Sequence, residues 1–222
     1  MRTLILIPTE LERRQLVEPL AAATTSDDRV ELCGFGPIAA AARTATLLAK
    51  QRPQRVLLVG IAGAVQADLR VGDAVAFGRV ACYGVGAGGG ATFVPAAEMG
   101  WPQWPGDPAC EEARVGDVLL CGWEAAKPRD GEPARERLLL TACAASASDA
   151  DVTARRRLFP EADAEDMEGF GVAAACRMAG VPLAIVRGLS NQAGHRDTAS
   201  WKVAEALAAA GRLAINVLRD QP

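Results

Sequence analysis

The sequence predicts an α/β protein whose central sheet is mostly parallel and is covered by helices on both faces. Short apolar runs of strand length alternate with segments of helical periodicity along the chain, and this alternation is typical of parallel sheets. Half of the residues are hydrophobic and only 5% are aromatic, which suits helices packed closely on such a sheet. The 222 residues fit one domain, so we expect residues 1–222 to form a single unit.

The first part of the chain predicts strands and helices in turn. Pro37 opens one of the helices, at the position where a missing N–H is best tolerated. β-Branched residues and leucine fill the third apolar run, which is typical of a strand buried on both faces. The predicted elements are strands at Leu4–Ile7, Val30–Cys33, Arg55–Gly60 and Ala74–Val80, and helices at Glu10–Glu18 and Pro37–Gln51.

The second part predicts strands at Leu138–Cys143 and Leu183–Arg187 and helices at Val172–Ala179 and Ser200–Arg219. An acidic stretch before the first of these helices is interpreted as a turn that opens it. Acids near a helix N-terminus are stabilised by the helix dipole. We assign that role to Asp163, Glu165 and Asp166, which leaves Glu168 for another one.

Residues 82–136 interrupt the alternation. Glycine and proline cluster there, and long loops inside compact domains are usually functional lids or disordered. Trp101, Trp104 and Trp123 favour a packed segment. We therefore expect residues 82–136 to be an inserted loop or lid that covers a ligand or a subunit contact.

Charge and cysteine content exclude several classes of function. The net charge of −3 and pI near 5.3 argue against nucleic acid and against an anionic membrane as partners. No apolar segment approaches the roughly 18 residues that span a bilayer. The six cysteines form no CxxC pair and there is one histidine, so we expect no metal site, reduced thiols and a cytoplasmic location.

Two glycine patterns resemble dinucleotide-binding turns but lack the context that such turns need. No helix follows Gly84-Val85-Gly86-Ala87-Gly88-Gly89, and no acid stands about twenty residues after Gly34-Phe35-Gly36. We interpret both as tight turns, the second with a helix N-terminus that can face a ligand. The sequence therefore predicts no cofactor.

Polar candidates follow several of the predicted strands. Glu12 either completes a capping box with Thr9 or serves as a carboxylate that activates water. Gly60-Ile61-Ala62-Gly63 ends a strand, as a simple turn or as a place where backbone approaches a ligand closely. Ser190 and Asn191 follow Leu183–Arg187, and ligands of open α/β sheets lie beyond the carboxyl ends of the strands. Glu168 and Asn191 are therefore expected to converge on one small polar ligand.

These motifs, in this order and spacing, resemble the nucleoside phosphorylase and nucleosidase family. Glu168 follows Met167 and Asn191 follows Ser190, as in the family's ribose-binding and purine-binding pairs. Within the family, Phe93–Trp101 and Arg187–Asn191, followed by Arg196 and Trp201, resemble the futalosine hydrolases of menaquinone biosynthesis. The resemblance implies a single-domain, three-layer nucleoside-phosphorylase-like fold, a small-molecule nucleoside substrate and a homo-oligomer.

The resemblance also implies roles for individual residues. Glu12 and Asn191 are the expected catalytic residues, and Ala62, Gly63, Met167 and Glu168 are expected to bind substrate. An amide offers both an acceptor and donors, so Asn191 matches a 6-oxopurine protonated at N7, whereas aspartate would suit adenine better. The alternatives are a 5′-methylthioadenosine/S-adenosylhomocysteine nucleosidase, a purine nucleoside phosphorylase and a non-catalytic nucleoside-binding protein.

Overall fold

The computed structural model describes residues 2–106, 114–123 and 136–220. Its strands are β1 Thr3–Ile7, β2 Arg29–Leu32, β3 Arg55–Ala64, β4 Ala74–Phe77, β5 Arg79–Tyr83, β6 Gly86–Ala87, β7 Val94–Pro95, β8 Val118–Leu120, β9 Leu138–Ala142, β10 Ala162–Asp166 and β11 Leu183–Gln192. Its α-helices are α1 Glu10–Ala21, α2 Pro37–Gln51, α3 Asp149–Leu158, α4 Gly169–Ala179 and α5 Val203–Arg219.

A nine-stranded sheet forms the centre of the molecule, in the order β2-β1-β3-β10-β9-β5-β8, with β11 between β3 and β4. The pairs β1–β2, β1–β3, β3–β11, β9–β10 and β5–β9 are parallel. The pairs β3–β10, β4–β11 and β5–β8 are antiparallel. The predicted sheet, mostly parallel with mixed pairing, is confirmed.

Helices cover both faces of the sheet, as the alternation of elements predicts. Leu4 and Leu6 of β1 face a core that also contains Phe170 of α4, while Ile5 and Ile7 face a second core with Leu207 of α5. Successive side chains of a strand point to opposite faces, so a strand that is apolar at every position needs a helix layer on each side. Helices α2 and α4 pack against each other, and α1 packs against α5.

Three predicted strand assignments are wrong in their bounds. The expected strand Arg55–Gly60 continues to Ala64, so Gly60-Ile61-Ala62-Gly63 lies within β3 and is not a turn. The expected strand Ala74–Val80 is two strands, because the chain changes partners at Gly78: β4 pairs with β11 and β5 pairs with β9. The expected strand Leu183–Arg187 continues to Gln192. Ser190 and Asn191 therefore lie within β11 and not beyond its end.

The acidic stretch assigned to a turn is also different in the structure, where it forms the buried strand β10. Each of its acids is paired: Asp163 with Arg137, Glu165 with Arg155 and Asp166 with Arg187. Of the three acids assigned to the α4 N-terminus, Asp166 alone receives a helix N–H, from Gly169 at 2.8 Å. Charged residues disfavour strands by propensity, and contacts distant in sequence override that preference here.

Four helix assignments also need correction, the first because α1 ends at Ala21 rather than at Glu18. Helix α3 was not predicted, helix α4 begins at Gly169 rather than Val172, and helix α5 begins at Val203 after a 3-10 turn at Thr198–Ser200. The N-terminus of α3 is capped by Ser148, whose hydroxyl accepts the Asp151 N–H. Serine is a favoured N-cap residue, but the helix that follows Ser148 is polar and lacks the apolar stripe from which a helix is predicted.

The described part of segment 82–136 begins with a small antiparallel pair, β6–β7. A 3-10 turn at Gly90–Thr92 separates its two strands, so the glycine run makes a tight turn, as expected. Trp123 is buried beneath the guanidinium of Arg55, whereas Trp101 is 71% exposed. Residues 107–113 and 124–135 of the expected insertion lie outside the described residues, and its role as a lid stays a prediction.

Five cysteines are described and all are free thiols, while Cys110 lies outside the described residues. Cys33, Cys121 and Cys176 are buried. Burial raises the pKa of Cys33 and of Cys121 to about 12, which keeps these thiols protonated and unreactive. Across the described ranges, no helix combines the length and the apolar character needed to cross a membrane.

Candidate active site

A cavity of about 520 Å³ opens where β1, β3, β10 and β11 approach one edge of the sheet. Its lining includes all six residues that the sequence analysis selected: Glu12, Ala62, Gly63, Met167, Glu168 and Asn191. They come from four separate parts of the chain, and the sheet brings them to a single cavity. None of the described residues between 82 and 136 lines it.

Glu12 is 3% exposed and forms the capping box that its motif predicts, while its role in activating water stays a prediction. Its Oε2 atom accepts the Thr9 N–H at 2.9 Å, and the Glu12 N–H donates to Thr9 Oγ at 3.3 Å, which completes the capping box of α1. Its Oε1 atom accepts the Ile61 N–H of β3 at 3.0 Å. One oxygen thus stabilises the helix start, while the other holds the carboxylate against β3 in the cavity wall.

Glu168 lies just before α4 and is 5% exposed. Its Oε1 atom accepts the Gly36 N–H at 3.0 Å. Gly36 caps α2 with a φ of 84°, a conformation that strongly favours glycine. The expectation that the N-terminus of α2 faces a ligand is thus modified, because its Gly36 N–H faces Glu168. Burial raises the pKa of Glu168 to about 7, helped by Asp166 and Glu12 and opposed by Arg187 and the Gly36 N–H.

Sequence analysis did not identify Arg187 as a site residue, although it is completely buried at the centre of the carboxylates. Its Nη2 atom donates to Asp166 at 2.6 Å and to Glu168 at 3.3 Å. Nη1 has no hydrogen-bond partner in the part of the chain that the structure describes. Charged residues are almost never fully buried unless they are paired. The sequence contains one local signal for such a cluster, which is that Arg187 directly follows the apolar run Leu183–Val186.

Asn191 is half-buried and lies on β11, which flanks β3 on the side opposite to β10. Its Oδ1 atom accepts the hydroxyl of Ser190 at 2.9 Å, and its Nδ2 atom donates to the Gln192 carbonyl at 2.8 Å. The Ser190 hydroxyl also lies 3.3 Å from the Ala62 carbonyl oxygen. These contacts fix the amide and leave one acceptor site and one N–H of Asn191 available to a ligand.

Aromatic side chains at the cavity were not identified from the sequence either. Phe35, from the glycine turn, and Trp201 both line it. The Trp201 N–H donates to the His195 carbonyl at 3.2 Å, and the Arg196 guanidinium lies 5.0 Å from the Trp201 ring centroid. Among the described residues, no group of three or more His, Cys, Asp or Glu side chains is arranged to hold a metal.

Comparison with known proteins identifies relatives over most of the chain. Futalosine hydrolase of Streptomyces coelicolor is 34% identical over 181 residues, which cover 79% of this chain and 72% of that protein. The 5′-methylthioadenosine/S-adenosylhomocysteine nucleosidase of Geobacillus thermodenitrificans is 33% identical over 170 residues, 76% of this chain and 68% of that protein.

A solved structure extends the likeness to the whole fold. The 5′-methylthioadenosine/S-adenosylhomocysteine nucleosidase of Neisseria meningitidis, in complex with methylthio-immucillin-A, matches with a TM-score of 0.76 at 20% identity over 99% of both chains. The expected nucleoside-phosphorylase-like fold is confirmed. The family model of the phosphorylase superfamily matches residues 29–220, and the chain therefore belongs to the phosphorylase superfamily.

Proposed function

We propose that the protein hydrolyses the N-glycosidic bond of futalosine and releases hypoxanthine and dehypoxanthinyl futalosine. The observation that carries the proposal is the convergence of Glu12, Glu168 and Asn191 on one cavity. The relatives matched above are nucleosidases, which supports cleavage of a base from a sugar. The preference for futalosine is the finer part of the proposal.

Glu12 is the proposed general base. Cleavage breaks the bond between C1′ and the purine, moves its electron pair onto the purine and leaves oxocarbenium character on the ribose. Glu12 then takes a proton from the water whose oxygen bonds to C1′. Both oxygens of its carboxylate accept backbone N–H groups, from Thr9 and from Ile61. These bonds fix the orientation of the carboxylate, which favours proton transfer.

Glu168 is the proposed ribose ligand. An ionised carboxylate accepts hydrogen bonds from two vicinal hydroxyls, which fixes the ring against the attacking water. Arg187 and the Gly36 N–H hold this carboxylate in place, and Met167 supplies an apolar neighbour in the cavity lining. Arg187 offsets only one of the two negative charges of Asp166 and Glu168, so that the developing positive charge on the ribose meets a net anionic wall.

Asn191 is the proposed purine ligand. Hypoxanthine that carries a proton on N7 presents a donor there and an acceptor at O6, and one amide matches both. The departing purine gains negative charge, and asparagine is not an acid, so the N7 proton arrives through water. The fixed amide of Asn191 suits a 6-oxopurine and supports futalosine over an adenine nucleoside.

The outer part of the cavity supports the same choice. Trp201 offers an aromatic face and Arg196 a cation beside it. A carboxyphenyl group has a ring for the first and an anion for the second. The methylthio group of 5′-methylthioadenosine has neither, although the identity to nucleosidases of that specificity keeps them as the second candidate.

The test is chromatography of purified protein incubated with futalosine, with and without phosphate, and in parallel with 5′-methylthioadenosine and inosine. We expect hypoxanthine from futalosine at a rate that phosphate does not change. Faster release of adenine from 5′-methylthioadenosine would support the second candidate, and strict dependence on phosphate would support a phosphorylase. A protein that binds these nucleosides but releases no base would be a binding protein.

A further inference from the structure

The base end of the cavity contains a second polar group, Glu165, that the proposed mechanism does not use. Glu165 lies on β10, is 6% exposed and lines the cavity together with Ala145 and Ser146. It is distinct from Asp166 and Glu168, which contact Arg187. A buried carboxylate at a cavity wall, away from the reacting centre, requires its own explanation.

The sheet register places Glu165 opposite Asn191. Gly63 of β3 pairs with Glu165 on one side and with Asn191 on the other. Neighbouring strands are about 4.8 Å apart, so the two backbones are separated by about 9.6 Å across Gly63. Between the two polar groups the cavity wall consists of small residues, because Gly63 has no side chain and Ala193 lies against it, 3.3 Å from where a Cβ on Gly63 would stand. The gap is suited to a flat ring with a polar atom at each end of one edge.

The reacting centre lies further along the same strand. Glu12 binds Ile61, two residues before Gly63, which corresponds to about 6.6 Å along β3. A nucleoside laid along β3 thus places its ribose near Glu12 and Glu168 and its base between Asn191 and Glu165. Glu165 consequently faces the part of the base that is remote from the sugar.

The carboxylate of Glu165 is held as a fixed acceptor. It accepts the Ser146 N–H at 2.5 Å, the Ser146 hydroxyl at 2.6 Å and an N–H of Arg155. Arg155 is anchored in turn by the Ala144 carbonyl at 2.8 Å and by the ring of Tyr83. A carboxylate has about four acceptor sites, so three donors leave one for a ligand.

We propose that Glu165 accepts a hydrogen bond from N1–H of a 6-oxopurine whose O6 and N7 face Asn191, which makes it a determinant of base specificity. This inference rests on the proposed function. A 6-oxopurine has a hydrogen on N1, whereas adenine presents a lone pair there and would face the carboxylate without a donor. The Ser146 N–H, a nearby backbone donor, is already bound by Glu165 and does not serve adenine N1.

The alternative is that Glu165 only pairs with Arg155 and holds the loop at Ala144–Ser146. A structural role predicts equal losses on all substrates, whereas base recognition changes their ratio. The informative variant is Glu165→Gln, which keeps an acceptor oxygen for Ser146 but removes the negative charge. Its matched control is Glu161→Gln, four residues earlier in the chain, where the carboxylate pairs with Arg79 at the surface.

The measurement is kcat/KM for futalosine and for its 6-amino analogue, with the affinity for free hypoxanthine and free adenine measured by calorimetry in the same proteins. We expect Glu165→Gln to lower the oxo-to-amino ratio in both assays by about 10- to 100-fold, the usual effect of one lost hydrogen bond at a buried site. Glu161→Gln should leave the ratio unchanged.

The ligand 1-methylhypoxanthine provides a test that needs no variant. It keeps O6 and N7 but has a methyl group in place of the N1 hydrogen, and the unmodified protein should bind it at least about 10-fold more weakly than hypoxanthine. Equal affinity for the two bases, or an unchanged ratio in a folded Glu165→Gln variant, would overturn the role of Glu165 and leave the proposed reaction standing. A protein that neither binds hypoxanthine nor cleaves futalosine would overturn both.

Discussion

At the scale of a single residue, Glu12 has an observed role as part of a helix cap and a proposed role as a general base, and substitutions can separate the two. Glutamine also serves in a capping box, so Glu12→Gln should preserve the start of α1. It has one acceptor oxygen where Glu12 uses two, so the bond from the Ile61 N–H is lost. The loss of a positioned base typically lowers turnover by about 10²–10⁴-fold. We expect a loss of that size, together with a loss of stability no greater than the about 1–3 kcal/mol that one unpaired buried N–H costs, measured by steady-state rates and thermal unfolding.

Thr9→Ala is the complementary variant. It removes the hydroxyl that accepts the Glu12 N–H but leaves the carboxylate in the cavity. Loss of an N-cap side chain costs about 0.5–2 kcal/mol of stability, with a much smaller effect on rate. If Glu12→Gln instead unfolded early and turned over normally, the carboxylate would be a helix cap and no more.

The raised pKa of Glu168 leads us to expect that both activity and stability depend on pH. Burial raises the pKa of Glu168 to about 7, and in the proposed role of Glu168 the ribose hydroxyls donate to its ionised form. We therefore expect kcat/KM to rise with pH through about 7. Hydroxyl donors in the complex favour the ionised form, so the corresponding pKa seen in kcat should be lower. Initial rates across this range test both points.

Stability should change in the opposite direction. A carboxyl group whose pKa rises on folding, here from 4.5 to about 7, contributes stability below the lower value and loses it as pH rises through the upper one. Denaturant unfolding at pH values on either side of this window should show a decline that Glu168→Gln reduces. Equal slopes in the two proteins would mean that Glu168 does not titrate there.

At the residue scale, sequence predicted those side chains whose local motif is distinctive. Glu12, Glu168 and Asn191 follow strands or precede helices in recognisable pairs, and the structure brings them to one cavity. Arg187 and Glu165 were not recognised, because their partners are distant: Arg187 contacts Asp166 and Glu168, and Glu165 contacts Ser146 and Arg155. No local pattern specifies such pairings.

At the scale of elements, the contact of α2 with α4 supports the site. A Cβ on Gly171 of α4 would lie 2.2 Å from the Pro37 carbonyl oxygen of α2, so Gly171→Ala must push the helices apart. We expect a loss of about 1–3 kcal/mol in unfolding free energy, the usual effect of overpacking. Because α2 begins beside Gly36, which binds Glu168, kcat/KM should fall as well.

Gly211→Ala in α5 is the matched control. A Cβ there would make ordinary contacts, at 3.5 Å with Leu16 and 3.7 Å with Pro19. Alanine is favoured over glycine in a helix by about 1 kcal/mol, so this variant should be slightly more stable and equally active. Denaturant unfolding of both variants decides the point, and similar effects of the two substitutions would refute the packing argument.

Element types were predictable where periodicity was clear. Strands such as Thr3–Ile7 and helices such as Pro37–Gln51 carry apolar patterns that match their burial. Strand β10 was not predictable, because three of its five residues are acids and cations from elsewhere make their burial possible. The length of β11 was underestimated because its last residues are polar, which is the property that suits them to a cavity.

For the whole molecule, the family resemblance predicts a homo-oligomer. Leu11 and Phe35 at the cavity and Ile38 nearby on α2 are large, apolar and exposed, with Ile38 80% exposed. Clustered exposed apolar side chains are typical of subunit contacts. We expect sedimentation to give a mass above the 23.2 kDa of one chain, and Ile38→Lys to shift it towards that value.

Met178→Lys is the control for this experiment. Met178 is also exposed and apolar, at the far end of α4 from Glu168, and its substitution should leave the mass unchanged. A single-chain mass for the unmodified protein at micromolar concentration would contradict the prediction. The overall class of the molecule, a mixed sheet between two helix layers, could be predicted from the alternation of strands and helices alone. The pairing of strands such as β4 and β11 could not, because the two strands are far apart in the sequence.

Gly60 on β3 restricts which substitutions the site can accept during evolution. A Cβ there would lie 2.2 Å from Arg187 Nη1 and 2.6 Å from Glu12 Oε1, so any larger residue would displace a cation and an anion together. Any substitution of Gly60 is therefore expected to disturb the site as long as Glu12 and Arg187 are both present. A relative that lacks either charge would be free of this constraint, so we expect a larger side chain at this position only where Glu12 or Arg187 is also replaced.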